Sequence, residues 1–240
     1  MAMTVSTPAP QPAPQLIAPL WHTAALVALF LAIAASGALF KHRATAAPSL
    51  QPQLHPSVVP LYLSALAMEW GLFFYVRKGV QRTGLTLHDL VGARWTTTRQ
   101  VLTDVSLALA VWGLWTLTAL LWDRWAGAGN GASIQTLLPR GPLEAALWVA
   151  VSISAGICEE LTFRGYFQRQ FGALTGHRWM AWLLQAALFG ISHGYQGAQA
   201  CVRIVIIGLL FGALSLWRRS LRPAMLAHAW TDIASGLLGI

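Results

Sequence analysis

Eight acidic side chains occur in the 240 residues, and two of them are adjacent. Glu159-Glu160-Leu161-Thr162-Phe163-Arg164 sets three charges at the end of an apolar run. In a helix, Glu160 and Arg164 stand at i and i+4 with the acid nearer the N-terminus, the favourable order for an ion pair. Neighbouring residues project about 100° apart, so a Glu160 turned toward Arg164 leaves Glu159 facing elsewhere. One carboxylate is then structural and the other is available to take a proton. The same three charges also read as interfacial punctuation where a membrane helix ends. What separates the two readings is what the rest of the chain brings to the same depth.

Two histidines are candidates. Leu174-Thr175-Gly176-His177 is a turn signal between the Glu-Glu helix and the next apolar run, so the two form an antiparallel helical hairpin. Glu159 lies about 16 residues before that turn and His193 about 17 after it, which at about 1.5 Å per residue brings them to one depth. His193 ends Phe189-Gly190-Ile191-Ser192-His193, and Gly190, Gly194 and Gly197 permit close approach of helices or substrate. The last apolar run adds His228 and Asp232 at i and i+4 on one helical face. His228 lies only about eight residues, or ~12 Å, past the 218–222 turn, so a tilted or unwound segment near His193 is required to unite them.

A carboxylate and two imidazoles in a low dielectric suit activation of water, with amide hydrolysis as the natural reaction class. No nucleophile elbow is expected: Gly190-Ile191-Ser192-His193-Gly194 lies at the end of an apolar run read as helix, and Ser192, adjacent to His193, does not face it on a helix. His-Glu-x-x-His is also absent, which excludes a common zincin. Glu159, His193 and His228 remain a potential set of three metal ligands with a fourth position open to water, an arrangement zinc adopts in hydrolases.

The elements that must position these residues are membrane helices. The chain is 56% hydrophobic and 10% charged, against about 25% charged in an ordinary soluble domain. Seven apolar runs occur near 20–40, 57–76, 101–122, 143–158, 179–195, 200–217 and 222–240, most near the ~17–25 residues that span hydrocarbon. The predicted fold class is all-α, a polytopic bundle of about seven transmembrane helices around a polar cavity. Continued through Phe171, the run at 143 becomes a helix of about 29 residues, roughly 43 Å long. With the N-terminus inside, the alternation of runs puts eleven Lys and Arg on the cytoplasmic side and five outside, as the positive-inside rule favours. Lys41 and Arg43, after the first span, run against it. The net charge of +8 is thus topological; no basic cluster interleaved with exposed aromatics points to nucleic acid.

Residues 1–19 are proline-rich and aperiodic and read as a disordered tail, 20–142 as N-terminal helices and loops, and 143–240 as the core that carries the chemistry. The first run reads as a retained helix, for it lacks the charged n-region of a signal peptide. Thr86 to Gly92 predicts a short amphipathic interfacial helix ending in a glycine turn. Glu69 lies inside the second run, as either a functional carboxylate or a structural polar contact, with no partner that the sequence names. Cys158 and Cys201 are expected to be free thiols. Trp95, Trp122, Trp125, Trp179 and Trp217 fall near span ends, as in an aromatic belt.

Glu-Glu-x-x-x-Arg, then Phe-x-x-x-His about thirty residues on, then His-x-x-x-Asp, resembles the CPBP family of intramembrane proteases, which includes CAAX proteases and bacteriocin-processing (Abi) proteins. The likeness covers roughly 143–240. It implies Glu159 as general base, His193 as its partner on the water, and His228 with Asp232 on the oxyanion or the substrate. Glu160, Arg164 and Phe189 would support the site, and the substrates would be membrane-associated or lipidated peptides or proteins. Where such a family member carries Asn, Asp232 must be protonated or act through His228 to serve an oxyanion. The family has been argued both as metal-dependent, with zinc, and as metal-free; the metal-free mechanism is the expectation here, in the plasma membrane among its lipids. The competing readings are a non-catalytic scaffold or bacteriocin-immunity protein of the same fold and a small transporter.

Overall fold

The computed structural model describes residues 15–46, 57–126 and 136–239. Among them the secondary structure is helical, without a β-strand, as the hydropathy pattern predicts. The order is α1 (Leu20–Ala46), α2 (Val59–Gln81), α3 (Leu87–Val91), α4 (Thr98–Ala126), α5 (Pro142–Glu160), a π-helical segment (Leu161–Phe167), α6 (Gln168–Thr175), α7 (Arg178–Ser192), a 3-10 turn (Gly194–Gln196), α8 (Ala198–Arg218) and α9 (Arg222–Leu238). Proline stands in the first turn of α2, α5 and α9, where its missing N–H has no intrahelical role.

Five stretches are long and apolar enough to cross a membrane: Leu20–Gly37, Val59–Gln81, Thr98–Trp125, Pro142–Thr175 and Ala198–Arg218. The fourth runs unbroken through α5, the π segment and α6, the long helix that the sequence predicts. The runs expected near 179–195 and 222–240 are shorter as helices, 15 and 17 residues, or about 22 and 25 Å against a hydrocarbon core of ~30 Å. α7 is shortened because the chain leaves the helix at His193 (φ −94°, ψ 21°) and passes through the 3-10 turn. The expected hairpin is present, with the chain reversing at Gly176 (φ 70°) between α6 and α7.

The most extensive packing is between α7 and α8 and between α9 and α5. At Gly190 an added Cβ would come within 2.7 Å of the Cys201 carbonyl oxygen, so α7 and α8 approach as closely as the glycine pattern allows. All seven residues of the π segment are buried, and its Phe163 packs against Phe30 and Phe189, each with ring centroids 4.9 Å apart.

The N-terminal part of the chain is sewn onto this centre by hydrogen bonds. Ile17 and Ala18 are buried and donate their N–H groups to Gln170 Oε1 at 2.9 and 3.3 Å, while Gln170 Nε2 returns a bond to the Ala18 carbonyl. His22 bridges the Tyr166 hydroxyl and the Tyr75 carbonyl and stacks on the Tyr75 ring. Buried polar groups away from water need such partners. Of the tail expected over 1–19, residues 1–14 lie outside the described residues. Cys158 is a buried free cysteine, as expected.

α3 is the short helix expected after Thr86. Thr86 and Asp89 form a capping box at its start and Gly92 (φ 87°) ends it. A five-residue helix leaves its last carbonyls without intrahelical partners; here Arg169 donates to the carbonyls of Asp89 and Leu90, and the Leu221 N–H to that of Val91. α4 is held near both ends, by Arg218 and Trp95 on Asp104 and by Arg203 on Asp123.

Bonds from the Thr86 hydroxyl and amide hold the Asp89 carboxyl below its ordinary pKa. Its contribution is therefore complete above the ordinary Asp value of about 3.9 and is lost as pH falls through the lowered one. Thr86→Ala removes the cap, and amide exchange at residues 89–91 is expected to quicken about fivefold near neutral pH, less below pH ~3.9, without change in the π segment. Hydrogen-exchange mass spectrometry in detergent reads it.

Candidate active site

Where α5 meets the π segment, one carboxylate collects two donors. Glu160 is fully buried, and its Oε1 accepts from Arg164 Nη1 at 2.7 Å and from His228 Nδ1 at 2.8 Å. The ion pair at i and i+4 is the one the spacing predicts. Arg164 also donates Nη2 to the Gly208 carbonyl at 3.2 Å and lies 4.3 Å from the centroid of Phe189. Because Glu160 accepts at Nδ1, His228 presents its other nitrogen to the remaining acids. Nε2 is 3.8 Å from Glu159 Oε2 and 3.5 Å from Asp232 Oδ2. Glu159 Oε2 is buried and has no hydrogen-bond partner among the described residues.

α9 reaches this point unbroken, and its tight seat on α5 is visible at Gly156, where a Cβ would come within 2.8 Å of the Met225 carbonyl oxygen and 2.9 Å of the Ala229 nitrogen. The unwinding anticipated near His193 is the end of α7. His193, outside the helix, turns Nδ1 to the Phe189 carbonyl at 2.8 Å, so Nδ1 carries the proton and Nε2 is the acceptor. The same departure from helix brings Ser192 Oγ within 3.2 Å of His193 Nδ1, a contact that helical geometry at adjacent positions excludes. Ser192 is still no activated nucleophile, for its hydroxyl donates to the Phe189 carbonyl at 2.7 Å. The Phe189 ring stands between the imidazoles, 5.0 Å from His193 and 5.9 Å from His228.

Direct contacts thus join Glu159, Glu160, Arg164, His228 and Asp232, and Phe189 links His193 to them. Three neighbours were not legible beforehand. Glu69, buried on α2, lies beside Glu159. Tyr195 on the 3-10 turn has its ring 6.0 Å from His193, and its place two residues after that histidine is its only signal. Trp148 Nε1 donates to the Asp232 carbonyl at 2.8 Å, which nothing in the sequence announces. Among the described residues no three His, Cys, Asp or Glu side chains are placed to share one metal ion.

Residues 141–234 match a family model described as type II CAAX prenyl endopeptidase, Rce1-like. This segment, under half of the chain, is similar to that family. It agrees with the CPBP resemblance and contains every candidate from Glu159 to Asp232, whereas Glu69 and the first four helices lie outside it. No curated protein and no solved structure matches the chain. The Rce1-like family is one of membrane endopeptidases, and with its five long apolar helices the chain is an integral membrane protein.

Within the matched segment the two adjacent glutamates are expected to respond differently to removal. Glu160→Ala leaves Arg164 charged and unpaired in the core and lowers stability by about 3–5 kcal/mol. Glu159→Ala removes a carboxyl oxygen without a partner and changes stability by less than about 1 kcal/mol. Denaturant titration in detergent measures both; equal losses would refute the division of labour.

Proposed function

We propose that the protein is an intramembrane endopeptidase that hydrolyses a peptide bond in a membrane-associated or lipidated substrate with water activated by side chains. The observation that carries this reading is the adjacency of Glu160, whose Oε1 is held by Arg164 and His228, and Glu159, whose buried Oε2 has no hydrogen-bond partner among the described residues and lies 3.8 Å from the oriented His228 imidazole.

In this mechanism Glu159 takes a proton from water while His193 Nε2 accepts the other water hydrogen and aims the oxygen. The oxygen adds to the scissile carbonyl, and the electron pair moves to the carbonyl oxygen. His228, held by Glu160, donates Nε2–H to that oxyanion, with Asp232 balancing the imidazolium; a donor of this kind is worth about 10²–10³ in rate. The tetrahedral intermediate collapses, the C–N bond breaks, and the proton on Glu159 passes to the leaving amine. Glu69, against Glu159, is a positioning residue for the base. Asp232 thus acts through His228 and need not itself donate to the oxyanion.

The metal-free route uses His228 as a donor, with Nδ1 bound to Glu160 and Nε2–H left for the oxyanion. The plasma membrane with the N-terminus cytoplasmic is the proposed location and orientation, and anionic and apolar lipids its surroundings.

Purified wild type and Glu159→Gln, incubated in nanodiscs with a library of membrane-embedded peptides and read by mass spectrometry, test the reading. Wild type is expected to yield cleaved products and Glu159→Gln at least about 10²-fold less. Equal product from both would refute Glu159 as base. A chelator is expected to leave the rate unchanged, and inhibition that zinc specifically restores would overturn the metal-free route.

A further inference from the structure

At one end of the bundle, the α6–α7 turn and the α8–α9 turn enclose a cavity of about 290 Å³. Arg164, Arg169, Arg178 and Arg219 line it together with Ser215 and Ser220, and no acidic side chain does. Four guanidiniums around one cavity repel one another unless an anion lies among them. Glu160 neutralises Arg164, but Arg169, Arg178 and Arg219 have no ion pair among the described residues. Arg169 is also fixed in place, for both of its terminal nitrogens are held by α3 carbonyls.

Two buried polar atoms on the cavity wall lack partners. Arg164 is 1% exposed and Ser215 6% exposed, yet Arg164 Nε and Ser215 Oγ make no hydrogen bond. Buried donors are rarely left unsatisfied, so each calls for an acceptor in the space they share. Guanidinium and hydroxyl donors converging on one volume match the oxygens of a phosphate, which accepts forked bonds from arginine. Exposed Trp179 and Trp217, adjacent in sequence to Arg178 and Leu216, flank the site. Tryptophan in such a position marks the headgroup level of a membrane.

We propose that this cavity is a phosphate-binding site, with the headgroup of an anionic membrane lipid as its source. Basic pockets between helices at a membrane surface hold headgroups in this way. The ligand would meet Arg164 Nε while Nη1 of the same guanidinium holds Glu160. The site is independent of the peptidase reading, and its test reads binding alone.

The full chain, purified in detergent and stripped of lipid, is titrated with phosphatidylglycerol or phosphatidylcholine and examined by native mass spectrometry. Wild type is expected to retain one phosphatidylglycerol about tenfold more tightly than phosphatidylcholine, a difference of about 1.4 kcal/mol. Arg178→Gln and Arg219→Gly should each erase that preference, whereas Arg124→Gln, an equal charge loss on exposed α4, should keep it. Arg219→Gly is the variant that preserves the fold, because φ at 219 is 50°, where glycine is unstrained. Inorganic phosphate supplies the second arm. If it raises the melting temperature of wild type but not of Arg219→Gly while phosphatidylglycerol shows no preference, the site takes free phosphate. If neither phosphatidylglycerol nor phosphate binding depends on Arg178 and Arg219, the proposal is wrong.

Discussion

A single oxygen, Glu160 Oε1, organises the centre of this protein. It accepts from Arg164 on its own helix and from His228 on α9, at 2.7 and 2.8 Å, with no exposure to solvent. Removing three ionisable groups from water is expensive unless each is paired and hydrogen-bonded, and this arrangement compensates all three through one atom. It also fixes what surrounds it. His228 can turn only Nε2 toward Glu159 and Asp232, and Arg164 lies against Phe189, whose ring in turn faces both imidazoles. Charge compensation in the core and orientation at the candidate site are therefore one set of contacts.

The helices outside the matched segment join that set at its back. His22 reaches Tyr166 near the end of the π segment, and Gln170 grips the chain at Ile17 and Ala18. Glu69 arrives from α2 at the face of Glu159 opposite in purpose to Glu160: it adds a second carboxyl where Glu160 adds a cation network. The N-terminal half thus supplies walls and one polar group to a site whose motifs all lie in the C-terminal half.

Local periodicity made much of this legible. The Glu160–Arg164 pair, the hairpin at Gly176, the long helix through 171 and the capped helix after Thr86 each follow from spacings that a helix converts directly into contacts. What stayed hidden departs from that regular geometry or comes from distant sequence. The chain leaves α7 at His193, which turns Ser192 and its neighbour toward each other and shortens a span that hydropathy alone extends to 195. Glu69 stands 90 residues from Glu159 in sequence, and no pattern within either helix reports which faces meet. The contact of His228 with Glu160 depends on how closely α9 seats against Gly156, a packing distance rather than a spacing.

The π segment has a further meaning for how this site is written in the gene. Gln168 N–H bonds to the Phe163 carbonyl five residues back, not four, so Leu161–Phe167 contains the extra residue that separates a π bulge from an α-helix. Removing that residue would turn everything beyond it by about 100°. Gln170 would lose its hold on Ala18, and Arg169 its hold on α3, while every motif stayed intact. The architecture is encoded by a residue count as much as by residue identities. It should tolerate conservative exchange of the apolar side chains within 161–167, Arg164 being kept, far better than an insertion or deletion there.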